Sequence, residues 1–152
     1  MAEIKLRFMR GRGLSSLAIA FWEFRHWSHV DLIVKEGLLG AREMGVKIRP
    51  FDYAEGDFAI GTIECTEVQA QTWEGFCRRQ IGTGYDFLAI LGFPLHIDLS
   101  LKNTWICSSL QAAAGIYSHA MPFSVERLNR ITPGEIADRL QLRPVPKGQY
   151  IC

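Results

Sequence analysis

Cysteine and histidine can together supply a nucleophile and its base, and this 152-residue chain has four of each. Two of the eight have settings that suit chemistry. Cys107 lies in Trp105-Ile106-Cys107-Ser108-Ser109-Leu110, at or near the start of a predicted Ala-rich helix. A helix N-terminus presents unpaired N–H groups and the positive end of the dipole. Both favour a thiolate, the nucleophilic form of the side chain. The same N–H groups can hold the oxyanion of an acyl-transfer intermediate. His29 opens a predicted strand, and an imidazole on a neighbouring strand can take the thiol proton and pass it to a leaving group. Asp31 lies two residues further on, hence on the His29 face of that strand.

The other cysteines and histidines read as packing or termini. Cys65 closes an apolar strand, Cys77 sits in a helix body and Cys152 is terminal. His26, His96 and His119 have no setting comparable to that of His29. Trp22, Trp27 and Trp73 read as core and edge packing; Trp105 has the further option of shielding the thiol.

Composition narrows the function classes. The chain has 17 Lys+Arg against 16 Asp+Glu, a formal net charge of +1, where a dedicated nucleic-acid binder carries a basic excess. No C-x-x-C pair occurs, so a zinc site is not expected, and no metal or cofactor is called for. Four cysteines are too few for a disulfide-rich secreted scaffold. The N-terminus lacks a signal-peptide h-region, and no apolar run approaches the roughly 20 residues of a membrane span. The expectation is one soluble, cytoplasmic α+β domain over residues 1–152, with no stable membrane insertion.

The elements that must position Cys107 and His29 follow from periodicity. Ile4, Leu6 and Phe8 alternate with Lys5, Arg7 and Met9, a strand pattern broken by Gly11 and Gly13. Leu14 to Arg25 has helical spacing. His29 to Lys35 reads as a strand, Glu36-Gly37 as a turn, and Leu38 to Arg49 as the return, ended by Pro50. Residues 52–57 form a loop before a strand from Phe58 to Cys65. Thr66 is set to cap a helix reaching Ile81, with Gly82 past its end. Gly84 to Gly92 reads as a short helix. Trp105 to Ser118 reads as the Cys107 helix, interrupted by Gly115 and closed by Pro122. Thr132-Pro133-Gly134-Glu135 has the form of a further helix start, and 143–147 is extended.

The order of these motifs resembles a family. His29-Val30-Asp31-Leu32-Ile33-Val34 followed by Gly40-Ala41-Arg42 and Gly45-Val46 is similar to a hairpin of the circularly permuted papain-like (NlpC-type) cysteine hydrolases, whose relatives include YiiX-like proteins and lecithin:retinol acyltransferase. Gly84-Tyr85-Asp86-Phe87, then Trp105 to Leu110, then Thr132 to Ala137 resemble later blocks of that family, in the same order. Small phage and prophage proteins show a similar variant. The resemblance implies a permuted papain-like fold, an antiparallel sheet packed against helices with the cysteine at a helix N-terminus. It implies Cys107 as nucleophile and His29 as base. The family's third polar residue falls about twelve positions after the histidine, where this chain has Gly40-Ala41; Asp31 is the substitute, ahead of Arg42 and Glu43. Ser109 stands where the family often has Glu. Trp105 and Ser108, flanking Cys107, are read as substrate-facing.

The implied activity is a cysteine hydrolase or amidase acting on an amide or ester through a thioester. Peptides, cell-wall (peptidoglycan) peptides and lipid acyl groups are the substrates it suggests. Transfer to another acceptor would make the chain a thiol acyltransferase. The alternative is a catalytically inactive binding or virion-structural module that keeps the fold.

Overall fold

The computed structural model describes residues 1–11, 27–86, 88–89 and 101–151. Its elements are β1 (Ala2–Gly11), β2 (His29–Val34), β3 (Gly37–Arg42), β4 (Gly45–Arg49), β5 (Gly56–Cys65), α1 (Glu67–Arg79), β6 (Gly84–Tyr85), β7 (Thr104–Trp105), α2 (Cys107–Ser118), a 3₁₀ helix (Val125–Arg130), α3 (Pro133–Ala137) and β8 (Leu142–Pro144). This is a mixed α+β fold. Six strands form one sheet in the order β4-β3-β2-β1-β5-β8, every pairing antiparallel, and β6 and β7 form a small parallel pair.

The alternation in β1 organises the sheet. Leu6 and Phe8, with Val30 and Leu32 of β2, join the main core cluster, which also takes Trp73 and Cys77 of α1 and Cys107 and Leu110 of α2. The opposite face carries Arg7 and Met9. The register pairs Arg7 with Asp31 and Met9 with His29. A smaller cluster of Met9, Phe58, Ile60 and Val145 packs on that side.

One buried amide ties the layers together. Gln111 of α2 accepts from Trp73 Nε1 at 3.0 Å and donates to the Leu39 carbonyl at 3.2 Å, so α1, α2 and β3 share one polar joint. The Cys77 thiol also points at Gln111 Oε1, 3.7 Å away.

Several boundaries differ from the sequence reading. The stretch from Leu38 to Arg49 is two strands, because Glu43 and Met44 turn the chain and Gly45 closes the turn at φ +83°, a backbone glycine adopts readily. Gly84-Tyr85 is a strand and so is Trp105; they pair with each other, and Asp86 N donates to the Trp105 carbonyl. The Cys107 helix is therefore two residues shorter at its start. It is not interrupted at Gly115, whose missing side chain admits Met121 and the Trp73 ring. It ends before Pro122, at left-handed His119. The capping residues behave as their types predict: Thr66 and Thr132 form reciprocal boxes with Gln69 and Glu135. The 3₁₀ helix and the pairing of β8 with β5 had no periodic signal. The expected helix from Leu14 to Arg25 lies outside the described residues, as do Cys152, His26 and His96. Among the described residues no helix is long and apolar enough to cross a membrane.

Gln111→Leu should leave the Trp73 N–H and the Leu39 carbonyl without partners. Each such buried group costs about 1–3 kcal/mol. Urea unfolding at pH 7 is expected to show a loss of roughly 2–6 kcal/mol.

Candidate active site

His29 is the first residue of β2 and Cys107 the first of α2, and α2 packs against β2 and β3. Cys107 lies close enough to the His29 imidazole to help raise its pKa, after Asp31. On its other side His29 Nε2 lies 3.0 Å from Asp31 Oδ1. That leaves Nδ1 as the nitrogen for the thiol. Asp31 is only 1% exposed, and its second oxygen accepts the Tyr53 hydroxyl at 2.6 Å. Hydrogen bonds thus run His29–Asp31–Tyr53, with Cys107 close by His29.

The electrostatics are those of an ion pair in a dry site. Burial opposes the imidazolium, but the Asp31 charge, followed by that of Cys107, outweighs it, and His29 is pushed up to about 9. Burial likewise opposes the Asp31 carboxylate, yet His29, the Tyr53 hydroxyl and the Arg7 charge hold it below its ordinary range. Arg7 is fully buried beneath this pair. Its Nη1 donates to the Phe51 carbonyl at 2.7 Å and the Tyr150 carbonyl at 3.3 Å, while Nε and Nη2 have no partner among the described residues. Its guanidinium stacks over Phe58, 4.4 Å from the ring centroid. Burial lowers its pKa, against the pull of Asp31.

The third polar position has an explicit steric account. The β2–β3 register (Leu32 opposite Leu39) places Asp31 across from Gly40 one step further on. A Cβ on Gly40 would overlap Asp31 Oδ1 and come within 3.0 Å of its Cγ. The Asp31 carboxylate therefore occupies the space a side chain at position 40 would fill. Arg42 and Glu43, the weaker candidates, pair with each other at 3.2 Å.

The start of α2 is held by Ser109. Its Oγ accepts the Ile106 N–H and contacts the Ile106 carbonyl, both at 3.1 Å. A capping-box Glu at this helix position would reach back to the same N–H. Ser108 Oγ is buried without a partner among the described residues. Trp105 donates its Nε1 to Gln80 Oε1 at 3.1 Å and meets Phe76 edge-on. Asp86 accepts the backbone N–H of Ala89 and of Leu101, each at 2.9 Å, and so braces the approach to Cys107. Cys65 and Cys77 are buried away from this chemistry, and burial pushes both thiols up.

Sequence reasoning missed two contributors, Tyr53 and Arg7, and took a third, Tyr85, only as part of a motif bracing the approach to Cys107. Tyr53 sits in a loop without periodicity. Arg7 looks like the polar half of an alternating strand. Tyr85 is near enough for the Cys107 charge, after burial, to push its phenol above the usual range.

The fold and site define a mixed α+β protein with a large antiparallel sheet, a few helices, and a Cys–His–Asp arrangement where α2 meets the sheet. No family model matches the chain, and no curated protein matches it. Among solved structures it is similar to the metalloprotein YiiX from Escherichia coli O157:H7, of DUF1105. The TM-score is 0.70 at 17% identity, covering 95% of this chain and 96% of that one. At that identity the likeness is one of fold. Among the described residues no three His, Cys, Asp or Glu side chains converge as a ligand set, and Asp31 has both oxygens engaged by His29 and Tyr53.

Gly40→Ala should force Asp31 out of its place. Overpacking of this kind costs about 1–3 kcal/mol, read by thermal unfolding, and the His29 titration midpoint should fall with it. Stability should also depend on pH in a defined window. A histidine raised in the folded state contributes fully below about 6.5, its unfolded value, and loses that contribution as pH rises through about 9. The loss is on the order of 3 kcal/mol at about 1.36 kcal/mol per pKa unit. His29→Gln should flatten this alkaline limb in urea melts from pH 6 to 10. Asp31 acts at the other end, its contribution disappearing as pH falls below the ordinary carboxylate range.

Proposed function

We propose that this chain is a cysteine-dependent hydrolase or amidase of permuted papain-like type. The observation that carries the reading is the buried His29, bonded to Asp31 on one side and interacting with the Cys107 thiol on the other. The order in the chain, histidine before cysteine, is that of the permuted family. The likeness in fold to YiiX supports the reading.

His29 holds the proton that Cys107 gives up, as an imidazolium paired with Asp31, and the thiolate attacks the carbonyl carbon of an amide or ester. The carbonyl π pair moves to oxygen, and the resulting oxyanion is held by first-turn N–H groups of α2, which lack intrahelical acceptors. The intermediate collapses, the C–N or C–O bond breaks, and the leaving group takes the proton from His29. A thioester remains. Neutral His29 then removes a proton from water, the hydroxide oxygen adds to the thioester, and the C–S bond breaks to release the acid. Asp31 keeps the imidazole oriented and balances its charge throughout. Another acceptor in place of water would give acyl transfer by the same steps. Cell-wall peptides and lipid acyl groups both present the required carbonyl.

One observation favours the second reading, an inactive module that keeps the fold: Cys107 is only 2% exposed. Iodoacetamide labelling at pH 7, resolved by peptide mass, separates the two. A hydrolase should show Cys107 alkylated faster than Cys65 and Cys77, the fast phase absent in Cys107→Ser. His29→Ala should slow it by about 100-fold or more, the lower end of what a positioned base contributes. Labelling of Cys107 no faster than Cys77 would remove the enzyme reading.

A further inference from the structure

We propose that Tyr53 is a positioning residue of this site, holding the Asp31 carboxylate against His29 from the loop between β4 and β5. Its catalytic meaning rests on the hydrolase reading above; its geometry does not.

Asp31 lies on the same strand as His29, two residues away, so its carboxylate must reach along β2 to meet the imidazole. Gly40 makes room for that carboxylate but offers no side-chain group to orient it. Arg7, opposite Asp31 in the register, directs its bonded nitrogen to the Phe51 and Tyr150 carbonyls, so it acts on Asp31 through charge. Orientation falls to Tyr53. Its hydroxyl lies 2.6 Å from Asp31 Oδ2, in the range of charge-assisted O–H···O⁻ bonds. With that oxygen pinned, the other faces His29.

Tyr53 is itself held. The guanidinium carbons of Arg7, Arg42 and Arg49 lie 5.3, 5.3 and 5.8 Å from its ring centroid, cations drawn to the ring by its quadrupole. Arg49 is in turn fixed by donating to the Gly40 and Gly45 carbonyls, so one side chain braces both β3 and the tyrosine. Burial and the Asp31 charge push the phenol above its usual range, so it remains a donor wherever the protein is folded. The charged groups facing His29 are Asp31 from its own strand, Cys107 from α2 and Glu43 from the β3–β4 turn. Those facing Asp31 are His29, Arg7 from β1 and Arg42 from β3.

The test is an NMR titration of the His29 imidazole in the wild-type chain, Tyr53→Phe, Asp31→Asn and the double variant. Tyr53→Phe should lower the His29 midpoint by about one pH unit or more, towards that of Asp31→Asn. It should add nothing in the Asp31→Asn background, as expected when one residue acts through the other. A Tyr53→Phe midpoint equal to wild type, or an equal shift in both backgrounds, would overturn the proposal. If Tyr53→Phe does not fold, the wild-type Tyr53 hydroxyl proton reads the same bond. It should exchange slowly and be lost in Asp31→Ala but retained in His29→Ala; rapid exchange in the wild-type chain would overturn the proposal. Because the titration reads the imidazole and not turnover, the two readings fail separately. An unlabelled Cys107 beside a shifted His29 removes only the hydrolase. A labelled Cys107 beside an unmoved His29 removes only the role of Tyr53.

Discussion

The constraint on which the site depends is a carboxylate with 1% exposure. An ionised Asp31 in that position is costly unless charge and hydrogen bonds replace the water it has lost. Four neighbours meet the requirement from different parts of the chain. His29 supplies a cation and one bond, Tyr53 the second bond, Arg7 a charge across the β1–β2 register, and Gly40 the empty volume. Each is needed because of the others. A side chain at position 40 would deny Asp31 its place, and without Asp31 a buried imidazolium would have no carboxylate to balance it.

The same logic of shared polar joints recurs around the site. Gln111 ties both long helices to β3, Asp86 gathers the backbone at Ala89 and Leu101 ahead of β7, and Ser109 secures the residue before Cys107. Buried polar groups with partners in two elements set the spacing between those elements more tightly than apolar contact alone. This is how the first residue of α2 comes to face the first residue of β2. The likeness to YiiX at 17% identity is one of fold, and a shared fold does not by itself transfer an activity.

Much of this was legible beforehand in particular residues. The alternation around Leu6 and Phe8, the β-branched run after His29 and the two threonine caps predicted β1, β2, α1 and α3 to within a few residues. Trp105 was misread as helical because its apolar neighbours suit either period; pairing with Tyr85 decided it. The 38–49 return was misread as one strand because the conformation of Gly45, not its mere presence, makes the turn. Ser109 caps the start of α2 through its bond to the Ile106 N–H, a contact that only the structure reveals.

By itself the sequence determined which residue types were available and which face of each element they occupy, since local periodicity depends only on near neighbours along the chain. That suffices to put Asp31 on the side of His29 and Cys107 at or near a helix start. Only the tertiary structure decided that Asp31 fills the space beside Gly40, that Tyr53 closes the chain of bonds, and that Arg7 is buried rather than solvated. These are contacts between residues 9 to 24 or more positions apart. Their geometry follows from strand register and loop path, and neither is written in local spacing.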